Sequence, residues 1–548
     1  MRKLFAVLLI AAAARANEVS VRALQSGSPT GGTPLHDRGL HGEGQIIAIL
    51  DTGVDYTSCY FAEPDASLPP FNTGTPGGGF AWTNVDLSRR KVIAYDFLYS
   101  CDQFPGAKGC DVPGAPGADD NQGHGTHAAG ASVGDSGAPI QHDFADAIAT
   151  GAKLVVQDAG YIGGDNCSQR PGIGCPVKMT PILDQAYKQG ARIHSNSWGD
   201  RQGAGQFTNP PTANYPQSAR DVDAFVWSHP DMLVVFNTGN FGTPDAEPPQ
   251  SSLSAPGSAK NTLQVGGTRA GSHDDDFLWP YTLFGPARDG RIKPDLVAAA
   301  RVTAGDADFD NDPRTCDVTT QEGTSWSSPT VAGAAALVRQ YYTDGFYPTG
   351  ARVQANGFTP SAALLKATLI SAARPVLWRR IGSRNVAAKP VPSYEQGWGF
   401  PVLDDALYFA GDAQRMQVVD VPLSAGLTQG DSATVRVNAR AGTPLKVTLV
   451  WIDPPGTVRG ATDTTPQLVN DLDLEVRNGV RTYFGNGTTP DRLNNVEVVS
   501  LDAPNAGAYD ITVKAHRLGF GSRQSYALVI TGDLVSAAPA GKRRAARH

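Results

Sequence analysis

Three short segments carry side chains suited to nucleophilic catalysis. Asp51 ends the apolar run Ile46 to Leu50 and enters a glycine turn, Asp51-Thr52-Gly53. A carboxylate held there can accept a hydrogen bond from a histidine Nδ1–H and fix the tautomer of that ring. Alone, the triplet is an ordinary turn. His124 stands between Gly123 and Gly125 and opens a short helical stretch running through Val133. Glycines leave room for a substrate beside the imidazole, and histidine is the usual general base near neutral pH. Ser325 follows Gly323-Thr324 and precedes the Ala-rich helical stretch Thr330 to Tyr342. Pro329 is expected in the first turn of that helix, where proline is tolerated. A serine at a helix N-terminus faces unpaired N–H groups and the positive end of the dipole. Both favour the oxyanion formed when its hydroxyl attacks a carbonyl. Taken alone, the segment would read as a Ser-rich helix cap.

Two other chemistries compete. His124 and His127 are three residues apart, as zinc ligands can be, but further ligands at a recognised spacing are missing. His127 is therefore expected to be a packed structural histidine. An esterase elbow would read Gly-x-Ser-x-Gly, whereas Ser325 has Gly323 before it and Ser327 after it.

The elements that must position these residues follow an alternating pattern. Ile46 to Leu50, Leu154 to Val156 and Leu233 to Phe236 look like buried strands, while Ile182 to Gln189 and Val222 to Trp227 have helical spacing. This predicts an α/β domain built on a doubly wound, mostly parallel sheet, with its site at the carboxyl ends of the strands. Near residue 415 the pattern changes. Val418 to Leu423, Ala433 to Val437, Leu445 to Trp451, Leu472 to Val476, Tyr509 to Val513 and Tyr526 to Ile530 are short runs at hairpin-like intervals. They predict an all-β sandwich or jelly roll. The expected division is a signal peptide over 1–16, an α/β domain over 17–412, a β domain over 413–534 and a disordered basic tail over 535–548.

With 548 residues, the chain is long enough for two or more domains. A net charge of −7 and no extended basic face argue against a nucleic-acid binder. Arg2 and Lys3, the apolar run Leu4 to Ala14 and Ala14-Arg15-Ala16 read as a secretory signal cut after Ala16. No later run is long enough for a membrane span, so a secreted (extracellular or periplasmic) monomer is expected. Six cysteines in an exported chain favour disulfides. Cys101/Cys110 and Cys167/Cys175 each flank a short loop, which would leave Cys59 with Cys316, although six cysteines allow fifteen pairings. The alternating Asp306, Asp308, Asp310 and Asp312 offer oxygen ligands of the kind calcium takes. No cofactor is expected for catalysis; structural Ca²⁺ is an open expectation.

The three segments together resemble the subtilisin superfamily of serine peptidases, the subtilases, over roughly residues 40–410, in the Asp–His–Ser order known for that family. The resemblance implies a serine endopeptidase acting on protein or peptide substrates: Ser325 as nucleophile, His124 as general base, Asp51 as the orienting carboxylate. Thr238-Gly239-Asn240 matches the position of the family's oxyanion-hole asparagine. Loss of that donor costs about 2.7–4 kcal/mol, a figure that comes from subtilisin itself. Ser197-Trp198-Gly199 matches the segment that pairs with the substrate backbone and walls the P1 pocket, and Asp289 to Asp295 the segment before the nucleophile. If Ser254 lies at the base of that pocket, as the family pattern implies, P1 preference is apolar or mixed.

The β region resembles the jelly-roll domain of alkaline, oxidation-resistant members through Thr448 to Pro455, Asn470 to Leu474 and Asn494 to Glu497. Relatives bind calcium there, which makes Asp471, Asp473 and Asp491 acidic candidates. Three features depart from the pattern: Trp326 stands where relatives often have Met, Ala298 to Arg301 replaces an Ala-Pro-Gly turn, and the 34 residues from Asn17 to Leu50 suit a mature N-terminal segment without the usual propeptide. A catalytically silent binding protein on the same fold is the alternative function.

Overall fold

The apolar runs form the centre of the molecule. The computed structural model describes residues 16–73, 84–98, 120, 123–137, 143–161, 172–173, 178–199, 213–241, 249–270, 274–308 and 315–535. The expectations placed on the signal run up to Arg15, on Cys101, Cys110, Cys167 and Cys175, on Asp310 and Asp312, and on the tail from Ser536 lie outside the described residues.

Six parallel strands stand side by side in the order Leu263–Arg269, Leu233–Asn237, Ile193–Asn196, Ile46–Asp51, Lys153–Asp158 and Val92–Phe97. Their residues are buried almost throughout, because helices cover both faces of a parallel sheet. The helices are α1 (Ala16–Ser26), α2 (His124–Val133), α3 (Met179–Lys188), α4 (Gln217–Ser228), α5 (Thr324–Thr343) and α6 (Ala362–Ser371). The fold is the doubly wound α/β class expected from the alternation of runs.

One expectation about α5 is corrected. The helix starts at Thr324, so Pro329 lies inside it rather than in its first turn. Proline has no N–H to give to the carbonyl four residues back, which is Ser325 O. Ser197 Oγ donates to that carbonyl at 2.6 Å. The bond lost to proline is thus replaced from the neighbouring strand end, and the helix can continue through the site.

Two antiparallel sheets make up the C-terminal region. One runs Arg415–Val421, Tyr526–Gly532, Leu445–Val450, Val496–Leu501; the other runs Arg481–Phe484, Asn470–Asn478, Gly507–Leu518, Ser432–Ala439, Leu534–Val535. Strand alternation divides the first sheet cleanly. Val447, Leu449, Leu528 and Ile530 face the interior of the sandwich. Val450, Ala527 and Val529 face the other way and join the core of the α/β region. Helix α6 lies between this face and the central sheet. That position explains why every residue of α6 is buried. Its cap, Ser361, donates N–H and Oγ–H to Asp420 of the first sheet at 2.9 and 2.7 Å.

A seam of buried charges completes the junction. Lys260 Nζ, fully buried, lies 2.7 Å from Asp453 Oδ2 and donates to the carbonyls of Pro454 and Gln467. Asp453 also accepts from Val469 N and Asn470 N at 3.0 and 2.7 Å. Arg291 pairs with Asp289 at 2.7 Å, and Asp295 is held between Lys293 (2.6 Å) and Lys366 (2.7 Å). The segment Asp289 to Asp295 thus spends its charges on this seam. Cys59 and Cys316 are joined in a disulfide. Arg492 reaches both Asp471 and Asp473, and Asp491 accepts two backbone N–H groups of its own turn. Among the described residues no group of three or more acidic, His or Cys side chains is placed to hold a metal ion.

Candidate active site

Strand ends bring the candidate residues together. Asp51 is the last residue of its strand and stands beside Asp158 of the neighbouring one. Ser197 follows the next strand, and Asn240 lies three residues beyond the one after. All open toward the N-termini of α2 and α5.

Asp51 is 1 % exposed, and its Oδ1 accepts from Thr52 N at 2.8 Å and from His124 Nδ1 at 2.6 Å. A short bond to a buried carboxylate fixes the Nδ1–H tautomer and leaves Nε2 as the basic atom. His124 is the first residue of α2, and its side chain is one-third exposed. The next residue must be glycine for a reason other than substrate access. A Cβ on Gly125 would stand 1.9 Å from Gly53 O, so only glycine lets α2 press onto the Asp51 turn.

Asp120 was not anticipated. It is buried and accepts from Thr52 Oγ1 (3.0 Å), Gly123 N (2.9 Å), Thr126 N (2.8 Å) and Thr126 Oγ1 (2.6 Å). One carboxylate therefore ties the start of α2 to the turn after Asp51. The signal available in the sequence was an Asp just ahead of a helix, but nothing local shows its reach to Thr52.

His127 is fully buried, and burial pushes its imidazole down to about 3. It is neutral and its ring meets Trp326 edge-on at 4.3 Å. It is a packing residue, as expected. The other face of the site is similar: the Trp326 ring lies 4.8 Å from that of His124. Trp326 follows Ser325 in α5, so this contact ties the start of α5 to the Asp51–His124 pair.

Ser325 is the second residue of α5. Its Oγ donates to Ser197 O at 3.3 Å, while Ser197 Oγ contacts Ser328 Oγ at 3.1 Å. Asn240 Oδ1 accepts from Thr324 N at 2.9 Å and from Thr324 Oγ1 at 2.8 Å. The amide is thereby oriented, with its NH₂ group available on the side of Gly323. Ser254, 4 % exposed, lies between Gly199 and Gly239. A Cβ on Gly199 would stand 2.4 Å from Ser254 Oγ, and one on Gly239 would stand 3.6 Å away. Trp198 packs edge-on against Phe236 at 5.4 Å.

Asp51, His124, Ser197, Trp198, Gly199, Asn240 and Ser325 thus share one region. Comparison with known proteins adds a family. A family model described as Subtilase family matches residues 42–399. The Serine protease/ABC transporter B family protein tagA of Dictyostelium discoideum is 26% identical over 627 residues, covering 94% of this chain and 32% of that protein. The chain therefore spans about a third of that relative's length. Subtilisin BL of Lederbergia lenta is 24% identical over 311 residues, covering 56% of this chain and 80% of that protein. Among solved structures, the serine protease of Aeromonas sobria aligns with a TM-score of 0.40 and 15% identity, covering 94% of this chain and 95% of the other.

Proposed function

The chain belongs to the subtilase family, and on that premise we propose that it is an active serine endopeptidase with Ser325 as nucleophile. The observation that supports this reading is the 2.6 Å bond between Asp51 and His124 Nδ1, with the start of α5 joined to it through the Trp326–His124 ring contact. His124 Nε2 takes the Ser325 proton while Oγ bonds to the scissile carbonyl carbon. The carbonyl π pair moves onto oxygen, where Asn240 Nδ2–H and Ser325 N–H stabilise it. The pair then returns, the C–N bond breaks, and His124 Nε2–H protonates the leaving amine. Water, deprotonated by the same nitrogen, releases the acyl group. Asp51 holds the imidazolium that forms in each half. The hydroxyl of Ser325 must leave Ser197 O for His124 when substrate binds; such bonds commonly tighten only in the complex.

Ser197-Trp198-Gly199 serves as the strand edge for the substrate backbone. Ser254 at the junction of Gly199 and Gly239 supports an apolar or mixed P1 residue, because its hydroxyl has no charge to select Lys or Arg. Export to an oxidising compartment is supported by the Cys59–Cys316 disulfide. No helix among the described residues is long and apolar enough to cross a membrane.

A serine-directed organophosphate is expected to label Ser325 stoichiometrically, and Ser325→Ala to abolish both labelling and peptide cleavage. Folded wild-type protein that takes no label would favour the silent binding protein instead. A cleavage profile dominated by Lys or Arg at P1 would overturn the specificity reading alone.

A further inference from the structure

Gly323 lines the oxyanion side of the site, and a side chain there would sit at ordinary contact distance from its neighbours. Its φ of 164° and ψ of 156° are extended, so conformation alone does not call for glycine. What a Cβ would meet there is distinctive. Its three nearest heavy atoms are Asn240 Nδ2 at 3.6 Å, Trp326 Nε1 at 3.6 Å and Ser325 N at 3.7 Å. All three are nitrogens that carry hydrogen. An oxygen displaced from that point by about 0.7–0.8 Å toward any one of them comes within N–H···O reach of it, whose usual distance is about 2.9 Å.

Each donor is unspent. Asn240 uses its oxygen on Thr324 and keeps its NH₂ group. Ser325 N belongs to the first turn of α5, where N–H groups lack intrahelical partners. Trp326 is 3 % exposed, and its buried Nε1 has no hydrogen-bond partner among the described residues. A buried N–H left unpaired is a cost to the fold that an acceptor would remove. The ring is also held by contacts with both His124 and His127. A donor held still before the reaction begins has no reorganisation to undergo when charge develops.

We propose that Trp326 Nε1–H is a third oxyanion donor, a role that rests on the peptidase reading above. In the step already written, the negative oxygen of the tetrahedral intermediate accepts from Asn240, Ser325 and Trp326 together. The indole gives no proton away; its N–H bond stays intact as the intermediate collapses. Trp326 is then a catalytic residue that touches the reacting atoms, and the space over Gly323 is kept for the oxygen.

Trp326→Phe keeps an aromatic ring between the two histidines and removes the N–H. It is expected to lower kcat and kcat/KM together by about 10- to 100-fold, the range for a bond to a charged acceptor. KM and the acidic limb of the kcat/KM–pH profile should stay where they are. A peptide boronic acid, whose adduct with Ser325 places an oxygen in the same space, should bind more weakly by a similar factor. Activity within about two-fold of wild type overturns the donor role and leaves the peptidase reading intact. A loss accompanied by a shifted acidic limb also overturns it, because that would be a packing effect through His124. Should the variant not fold, the indole ¹H–¹⁵N resonance of Trp326 in wild-type protein decides the matter. It moves downfield on boronate addition if the bond forms and stays put if it does not. Folded wild-type protein that neither cleaves peptides nor takes an organophosphate label ends both the peptidase reading and this one.

Discussion

Two places in this protein take polar groups out of water, and they treat them in opposite ways. Along the seam between the α/β region and the β sandwich, three buried carboxylates meet cations. Lys260 has Asp453, Arg291 has Asp289, and Asp295 has both Lys293 and Lys366. Around Ser325, the Nε1 of Trp326 is buried without a partner among the described residues, as is one oxygen of Asp51. A paired buried charge is costly to break and holds geometry. An unpaired buried donor holds nothing; it is a standing cost that a ligand can remove. Substitutions at the seam should therefore appear in stability, and substitutions at the site should appear in rate.

The sharpest separation comes from Gly323→Ala. Its methyl would sit at ordinary contact distance from the three nitrogens, in an extended backbone that alanine adopts freely. It is expected to reduce kcat/KM by about 1,000-fold or more by filling the oxyanion space, with little change in thermal midpoint. A fall in the midpoint comparable to a core substitution would blur the contrast. Asp453→Ala should do the reverse. It leaves Lys260 with Asp223 at 4.0 Å and strips Val469 N and Asn470 N of their acceptor. Urea unfolding should show a loss of about 3–5 kcal/mol. The folded fraction should cleave at close to the wild-type rate; a large kcat defect in it would mean that the seam also shapes the site.

Asp120→Asn tests a residue of intermediate character, a buried carboxylate that accepts four hydrogen bonds and orients His124 without touching substrate. It should cost about 1–3 kcal/mol of stability and lower kcat while leaving KM nearly unchanged. Loss of stability with kcat intact would make it a purely structural cap.

The smallest effect concerns pH. Burial pushes His194 from 6.5 down to about 3, while it bonds Gln157 and Asn196. Between those values the unfolded chain holds the extra proton, so this group's contribution is present above pH 6.5 and lost as pH falls. Asp96, pushed up from 3.8 to about 7 by burial, contributes the opposite slope, since its stabilising neutral form is lost as pH rises. Comparing wild type with His194→Gln cancels Asp96. The variant's stability should fall less steeply below pH 6.5, by up to about 1.4 kcal/mol per pH unit. Parallel curves would mean that the histidine is protonated in place.

Much of this was legible in the chain itself. Buried parallel strands are continuous apolar runs, so Ile46 to Leu50 and Leu233 to Phe236 stood out without neighbours. The sandwich strands are short runs at hairpin-like intervals, legible except for Arg481–Phe484, Val496–Leu501 and the two-residue Leu534–Val535. The first of these is only four residues long, and the second pairs with Leu445–Val450, far back along the chain. Proline reads as a helix beginning, so the sequence alone puts the start of α5 too late. Only the tertiary structure supplies Ser197 Oγ, which repairs the missing bond.

By itself the sequence determined which residue types are available for chemistry, their order, and the elements that carry them. Those properties are local: periodicity, turn residues and helix ends are written in neighbouring positions. Only the folded chain decided what each polar atom meets. Whether Asp453 finds Lys260, whether Asp120 reaches Thr52, and whether the Trp326 N–H is left facing the space over Gly323 all depend on approaches between distant segments. Hydrogen bonds and ion pairs act over a few ångströms, and such distances are fixed by packing rather than by position in the chain.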